Sequence, residues 1–149
     1  MLLDTAKKLT VLAVIPGEED RQTLRGILAR STWELQLAST LEQAQYEMET
    51  RAPGVIIADP DLPGGCSWQH IAKAAARMAS PPCVIVASRS GDDRLWAEVL
   101  NLGGFDLILK PFDANEVLHS VGMAWRCWRD KARLADAAHK EELFQSAKG

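Results

Sequence analysis

Cysteine is scarce in this chain: Cys66, Cys83 and Cys127 are odd in number and widely separated. No pair has the spacing of a metal site or a redox motif. That excludes a zinc ribbon and a disulfide scaffold, and it predicts reduced thiols in a cytoplasmic protein. Long apolar runs are missing too. The uninterrupted ones fall far short of the roughly 20 residues that a membrane-spanning helix needs. The opening residues, Met1 to Lys8, have neither the apolar segment nor the cleavage site of a secretory signal. There is no strong excess of charge, since the net value is −3, so nothing global draws the chain to nucleic acid or to an anionic membrane. No glycine-rich phosphate loop follows the first apolar run, which argues against a small-molecule enzyme. What remains is one domain of 149 residues, 47% hydrophobic, long enough to close a full core.

The apolar runs that are present recur in a regular order. Thr10 to Ile15 reads as a buried strand, broken by Pro16-Gly17. Glu18, Glu19 and Asp20 then place negative charge where a helix start favours it, as solvated first-turn acids. Leu24, Ile27 and Leu28 continue at helical spacing. Trp33 to Leu37 alternates apolar and polar, as an edge strand does. Thr40 and Gln43 have capping-box spacing before a helix carrying Leu41, Ala44 and Met48. Val55-Ile56-Ile57-Ala58 is a third strand, and it runs directly into Asp59 and a turn rich in proline and glycine. Ser67 can cap a helix with Ile71, Ala74, Ala75 and Met78. Cys83 to Ala87 is a fourth strand, ending at Ser88. Asp92 to Leu102 is helical with Leu95, Val99 and Leu102 on one face, and Gly103-Gly104 closes it. Phe105 to Leu109 is a fifth strand, ending at Lys110-Pro111, and Asp113 with Glu116 opens a long last helix.

Five β-α units predict an α/β fold: a flavodoxin-like, doubly wound parallel sheet of five strands in the order 2-1-3-4-5, with helices on both faces and an extended C-terminal helix. In such sheets the reactive groups gather at the carboxyl ends of the strands. Asp59, Ser88 and Lys110 all fall there.

These three blocks, Asp59 with Asp61-Leu62-Pro63-Gly64, then Ser88, then Gly103-Gly104 with Leu107-Ile108-Leu109-Lys110-Pro111-Phe112, resemble the receiver domain of bacterial response regulators, the CheY-like family. The resemblance covers roughly Thr10 to Trp125. It implies a receiver over residues 8–126 and a helical extension over 127–149. It also implies a non-enzymatic domain of a two-component phosphorelay, expected to act as a stand-alone receiver. Asp59 would accept a phosphoryl group from a histidine kinase or a phosphotransfer protein, Lys110 would offset phosphoryl charge, and Ser88 would hydrogen-bond the group. The family holds Mg²⁺ with two acidic residues at the end of the first strand, where this sequence has Ile15 and Pro16. Neither can ligate a hard cation, so the metal site is expected to be weakened or absent, with Asp59 and Asp61 as its remaining candidate ligands. Leu107 stands where the family has a switching aromatic ring. An alternative therefore stands beside the relay reading, a pseudo-receiver that binds a protein partner without phosphorylation.

Candidate partner contacts are Trp96, Leu107, Trp125 and Trp128. Leu118, Val121, Trp125 and Trp128 form an apolar stripe that Ala132 and Ala135 continue. This suggests packing on the domain itself, or a homodimer through the last helix. From Pro111 to Gly149 six basic residues match six acidic ones, so nucleic-acid binding is not expected. Phe144 to Gly149 resembles the opening of the ANTAR helical RNA-binding module, as if an output domain followed.

Overall fold

In the computed structural model, which describes residues 9–148, the chain forms a parallel five-stranded sheet with helices on both faces. The elements in order are β1 (Thr10–Val14), α1 (Glu18–Leu28), β2 (Glu34–Ala38), α2 (Leu41–Arg51), β3 (Val55–Ala58), the two-residue strands β4 (Asp61–Leu62) and β5 (Cys66–Ser67), α3 (Trp68–Ala76), β6 (Cys83–Ser88), α4 (Asp93–Asn101), β7 (Asp106–Leu109) and α5 (Ala114–Lys148). The main sheet runs β2-β1-β3-β6-β7. Counting only its own strands, that is the expected order 2-1-3-4-5.

The central strands are apolar at every position because both faces are covered, and alternation divides their side chains between two cores. Val11, Ala13, Ile57, Ile85 and Ile108 pack under α1 and α5 with Leu24, Leu28, Val117 and Val121. Leu12, Val14, Ile56, Val84 and Val86 pack under α2, α3 and α4 with Met48, Trp68, Ile71 and Val99. β2 is only half-buried, as its alternating pattern requires of an edge strand.

Helix boundaries follow local chemistry. Gln43 N donates to Thr40 Oγ1, and Leu95 N donates to Asp92 Oδ1. Ser67 forms a full capping box with His70. Asp113 caps α5 through Glu116 N, but the Glu116 carboxylate accepts from Leu109 N, so that second box is only half made. Gly103 takes φ +86° after α4, a conformation most side chains resist. On α4 itself Val99 is buried and Leu95 half-buried, but Leu102 is 49% exposed, because the helix ends before that residue can turn inward. The last strand starts at Asp106, one residue later than expected.

Helix α5 runs without a break through residue 127. Trp125 and Trp128 pack on the α1/α5 core, Arg129 stacks over the Trp125 ring at 5.0 Å, and Trp128 Nε1 donates to Ser80 O. The aromatic residues of the basic segment are thus engaged within the domain. Residue 8, Gly149, and the side chains of Ala135 and of Phe144 to Lys148 lie outside what the structure describes.

Candidate functional site

At the carboxyl edge of the sheet, backbone bonds just beyond the strand ends fix the position of each site residue. Asp59 N donates to Val14 O at 3.1 Å, and Lys110 N donates to Ser88 O at 2.9 Å. The backbones of Asp59 and Lys110 are therefore held by neighbouring strands, which is why their side chains meet. Lys110 Nζ lies 2.6 Å from Asp59 Oδ1. That contact is ionic rather than a well-aligned hydrogen bond, and among the described residues Asp59 Oδ1 has no other partner. The Lys110 side chain is only 6% exposed.

A third residue joins them. Asp20, expected to be a solvated first-turn acid of α1, instead turns into the site. Its Oδ2 accepts from Lys110 Nζ at 2.9 Å. Arg89 Nη2, from the loop after β6, reaches the same carboxylate at 3.1 and 3.4 Å. The reason is geometric: the carboxyl edge of the sheet lies beneath the first turn of α1, and the short side chain of Asp20 finds two cations there. Burial pushes the Asp59 carboxyl above its ordinary value. The Lys110 ammonium pulls it back down, the Asp20 charge raises it, and Arg89 lowers it.

The other expected residues fall into place less fully. Ser88 is buried, but its hydroxyl donates to Ser90 O and accepts from Ser90 N, so it ties the turn that follows β6. Asp61 is exposed, in register with Ser67 on the short antiparallel ladder. Leu107 packs half-buried against the α2–α4 core, and Trp96 stands 42% exposed on α4. Glu18 stays on the surface, where the Gln22 amide first and then Arg21 hold its carboxyl below the usual range.

The end of β1 does not suit a divalent ion. Alternation drives the Ile15 side chain fully into the α1/α5 core. The carbonyls of Ile15 and Pro16, which could serve as hard oxygen ligands, accept instead from Arg21 Nη1 at 3.0 and 2.9 Å. Ser39 Oγ takes the same nitrogen at 2.7 Å. A guanidinium thus occupies the oxygen donors at the strand end. Among the described residues no group of three or more His, Cys, Asp or Glu side chains is arranged to hold a metal. Mg²⁺ prefers near-octahedral oxygen ligation, and this donor set does not offer it.

The cluster also differs from a ligand pocket. A cavity of about 300 Å³ lies at the opposite edge, lined by Pro81, Pro82, Gly104, Phe105 and Trp128, far from Asp59 in the fold and mostly apolar. Its titratable lining is Cys83, whose thiol burial pushes up to about 11, and Lys131, with no carboxylate.

Residues 17–122 match the model of the response regulator receiver domain. The chain belongs to that family. It is 31% identical over 116 residues to the KDP operon transcriptional regulatory protein KdpE of Escherichia coli K12, covering 78% of this chain and 51% of that protein. The chain thus spans about half the length of this curated relative. Among solved structures, the signal receiver domain of an HD domain-containing protein from Pseudomonas fluorescens Pf-5 superposes with a TM-score of 0.77 at 22% identity, covering 86% of this chain and 94% of that one. The chemotaxis response regulator CheY4 of Vibrio cholerae superposes with a TM-score of 0.70 at 21% identity, covering 79% and 99%. Both likenesses concern the fold. Among the described residues, no helix of this receiver is long and apolar enough to cross a membrane.

Asp20, Arg89 and Arg21 were not legible as site residues. Arg89 had one signal, its place next to Ser88 at a strand's carboxyl end. Asp20 had another, its place four residues before Leu24 and seven before Ile27, on the buried stripe of α1; Arg21 had none beyond its position near the start of that helix.

Proposed function

We infer that this receiver accepts a phosphoryl group on Asp59 from a phosphohistidine of a partner kinase or phosphotransfer protein. The observation that carries this reading is the Asp59–Lys110 contact at 2.6 Å, at the carboxyl edge of a parallel sheet. A partly buried carboxylate beside a buried ammonium is a nucleophile paired with a charge clamp. In the transfer, an Asp59 oxygen bonds to phosphorus and the phosphorus–nitrogen bond breaks. The bonding pair stays with the departing imidazole nitrogen. The ring, protonated on its other nitrogen, leaves neutral. Lys110 meets the charge on the phosphoryl oxygens, and it reaches them from its present place between two carboxylates.

The test is incubation of the protein with acetyl phosphate, followed by intact mass and peptide mapping. A gain of one phosphoryl group on Asp59, lost in Asp59→Asn, supports the reading. No gain, under conditions that modify an ordinary receiver, refutes it.

A second reading has its own observations. Leu107 offers no switching ring, and Ser88 is already engaged with Ser90. Both favour a binding module that keeps the receiver fold and contacts a protein partner without phosphorylation. In that case the partner binds Asp59→Asn as tightly as the wild type.

A further inference from the structure

The four charged groups at the carboxyl edge cancel. Asp20 and Asp59 carry two negative charges; Lys110 and Arg89 carry two positive ones, with each contact between 2.6 and 3.4 Å. A carboxylate-rich pocket with a single lysine needs a divalent ion to hold an incoming phosphoryl dianion. This pocket has a second cation in place of that need. Adding a divalent ion would leave it with net positive charge and few oxygen ligands, since the strand-end carbonyls are bonded to Arg21.

Asp20 shows what the two cations can hold. Its carboxylate oxygens accept from Arg89 on one side and Lys110 on the other, the arrangement in which a guanidinium and an ammonium grip an oxyanion. A phosphoryl group on Asp59 would carry more charge and more acceptor oxygens than Asp20 does. It would compete for the same donors. The Arg89 side chain is 63% exposed, so it can re-aim without disturbing the core, while Lys110 is fixed by burial.

We propose that Arg89 and Lys110 together form a metal-independent phosphoryl-binding site at Asp59, and that Asp20 is the internal anion they hold until a phosphoryl group displaces it. This rests on Asp59 as the acceptor and goes beyond it in naming what replaces the divalent ion. Two consequences follow from the geometry. The phosphoryl group is bound by side chains already present. Its arrival also frees the first turn of α1 from its tie to β7 and the β6–α4 loop, which gives the domain a structural response that does not use an aromatic ring at position 107.

The probe is beryllium fluoride, which takes a carboxylate oxygen as a ligand and mimics a bound phosphoryl group. Binding to the full chain is followed by fluorine NMR, with EDTA and with millimolar MgCl₂. The dissociation constant in EDTA is expected to lie within about twofold of that in Mg²⁺. Arg89→Gln weakens binding in EDTA by about tenfold or more, the loss of one charge-assisted contact, and Arg89→Lys recovers part of it. Asp20→Asn tightens binding, because the internal competitor is gone. An adduct that forms only with Mg²⁺ overturns this inference and leaves Asp59 as acceptor. So does Arg89→Gln binding as tightly as the wild type. No adduct in either buffer, together with no phosphoryl gain from acetyl phosphate, overturns the acceptor reading and this inference with it.

Discussion

Replacing Lys110 with methionine keeps most of the volume and removes the ammonium that two carboxylates share. The cost can be worked from the contacts. At an effective dielectric near 20, a pair of unit charges about 3 Å apart attracts by about 5 kcal/mol before desolvation is counted. Removing one partner of a buried pair typically costs about 3–5 kcal/mol, because the charge left behind has neither water nor a counter-ion. Here Asp20 keeps Arg89, so most of the loss falls on Asp59, whose nearer oxygen has no other partner among the described residues. Lys110→Met is therefore expected to destabilise the fold by about 3 kcal/mol at neutral pH. In an Asp59→Asn background the same change leaves no stranded charge, and its cost falls to about 1 kcal/mol. The difference, about 2 kcal/mol, is a coupling energy of the size that residues in direct contact show. Urea denaturation, read by the fluorescence of buried Trp68, measures all four corners of the cycle. Repeating it near pH 3, roughly below the carboxylate range, should shrink the Lys110→Met cost, because a protonated Asp59 does not need the cation. A Lys110→Met cost under about 1 kcal/mol, or an equal cost in both backgrounds, would refute the reasoning.

Asp59→Asn alone should stabilise the protein at neutral pH. The unfolded carboxyl ionises near its model value of 3.8 and the folded one ionises higher, because of burial. Between the two the unfolded chain has lost its proton and the folded chain has kept it, so a rise in pH favours unfolding, and above the folded value the full cost is present. The gain from asparagine should therefore be complete at neutral pH and vanish below 3.8, and denaturation curves across that range that show no such gain would contradict the assignment. Gly104→Ala should cost about 1–3 kcal/mol by overpacking. An added Cβ would lie 2.5 Å from Val99 Cγ1 and 2.9 Å from the Val99 carbonyl oxygen that Gly104 N itself bonds. A thermal midpoint equal to the wild type's would mean that α4 moves away freely. Trp128→Ala should cost about 2 kcal/mol, somewhat less than a fully buried aromatic, because the ring is only partly buried yet seated on the core. Trp96→Ala should cost less, about 1 kcal/mol, as 42% of the residue is exposed. Equal losses for the two tryptophans would show that α4 or α5 is packed differently.

The fold was legible because its signal is repeated. Five apolar runs, each followed by a helical stripe, leave few topologies once right-handed crossovers are required, and the order of the sheet follows. The meeting of Asp59 and Lys110 was legible for the same reason: both residues stand one position past a strand, and the sheet itself brings those strand ends together. Where a residue sits on a helix that ends early, the local pattern misleads. Leu102 has the spacing of a core residue, but it lies past the last turn of α4, so it stays half-exposed.

Asp20 is the instructive case, because its local chemistry fits two different roles. An acid in the first turn of a helix is favoured by the helix dipole whether its side chain faces water or a lysine 90 positions later. The neighbouring Glu18 and Glu19 carry the same local signature and stay on the surface. Helical phase separates them: Asp20 stands four residues before Leu24 and seven before Ile27, on the stripe that α1 turns toward the sheet, while Glu18 and Glu19 lie off it. How close that stripe comes to Lys110 is set by long-range packing of Leu24, Ile27 and Leu28 onto β1 and α5. The same packing draws Ile15 into the core and lets Arg21 reach the strand-end carbonyls. So the apolar end of β1 and the placement that supplies an internal anion have one structural cause. The two should be coupled: a variant with an acid at position 15 would push charge into the α1/α5 core, lift α1, and draw Asp20 away from Lys110. An acid at position 15 alone would therefore not make a metal site.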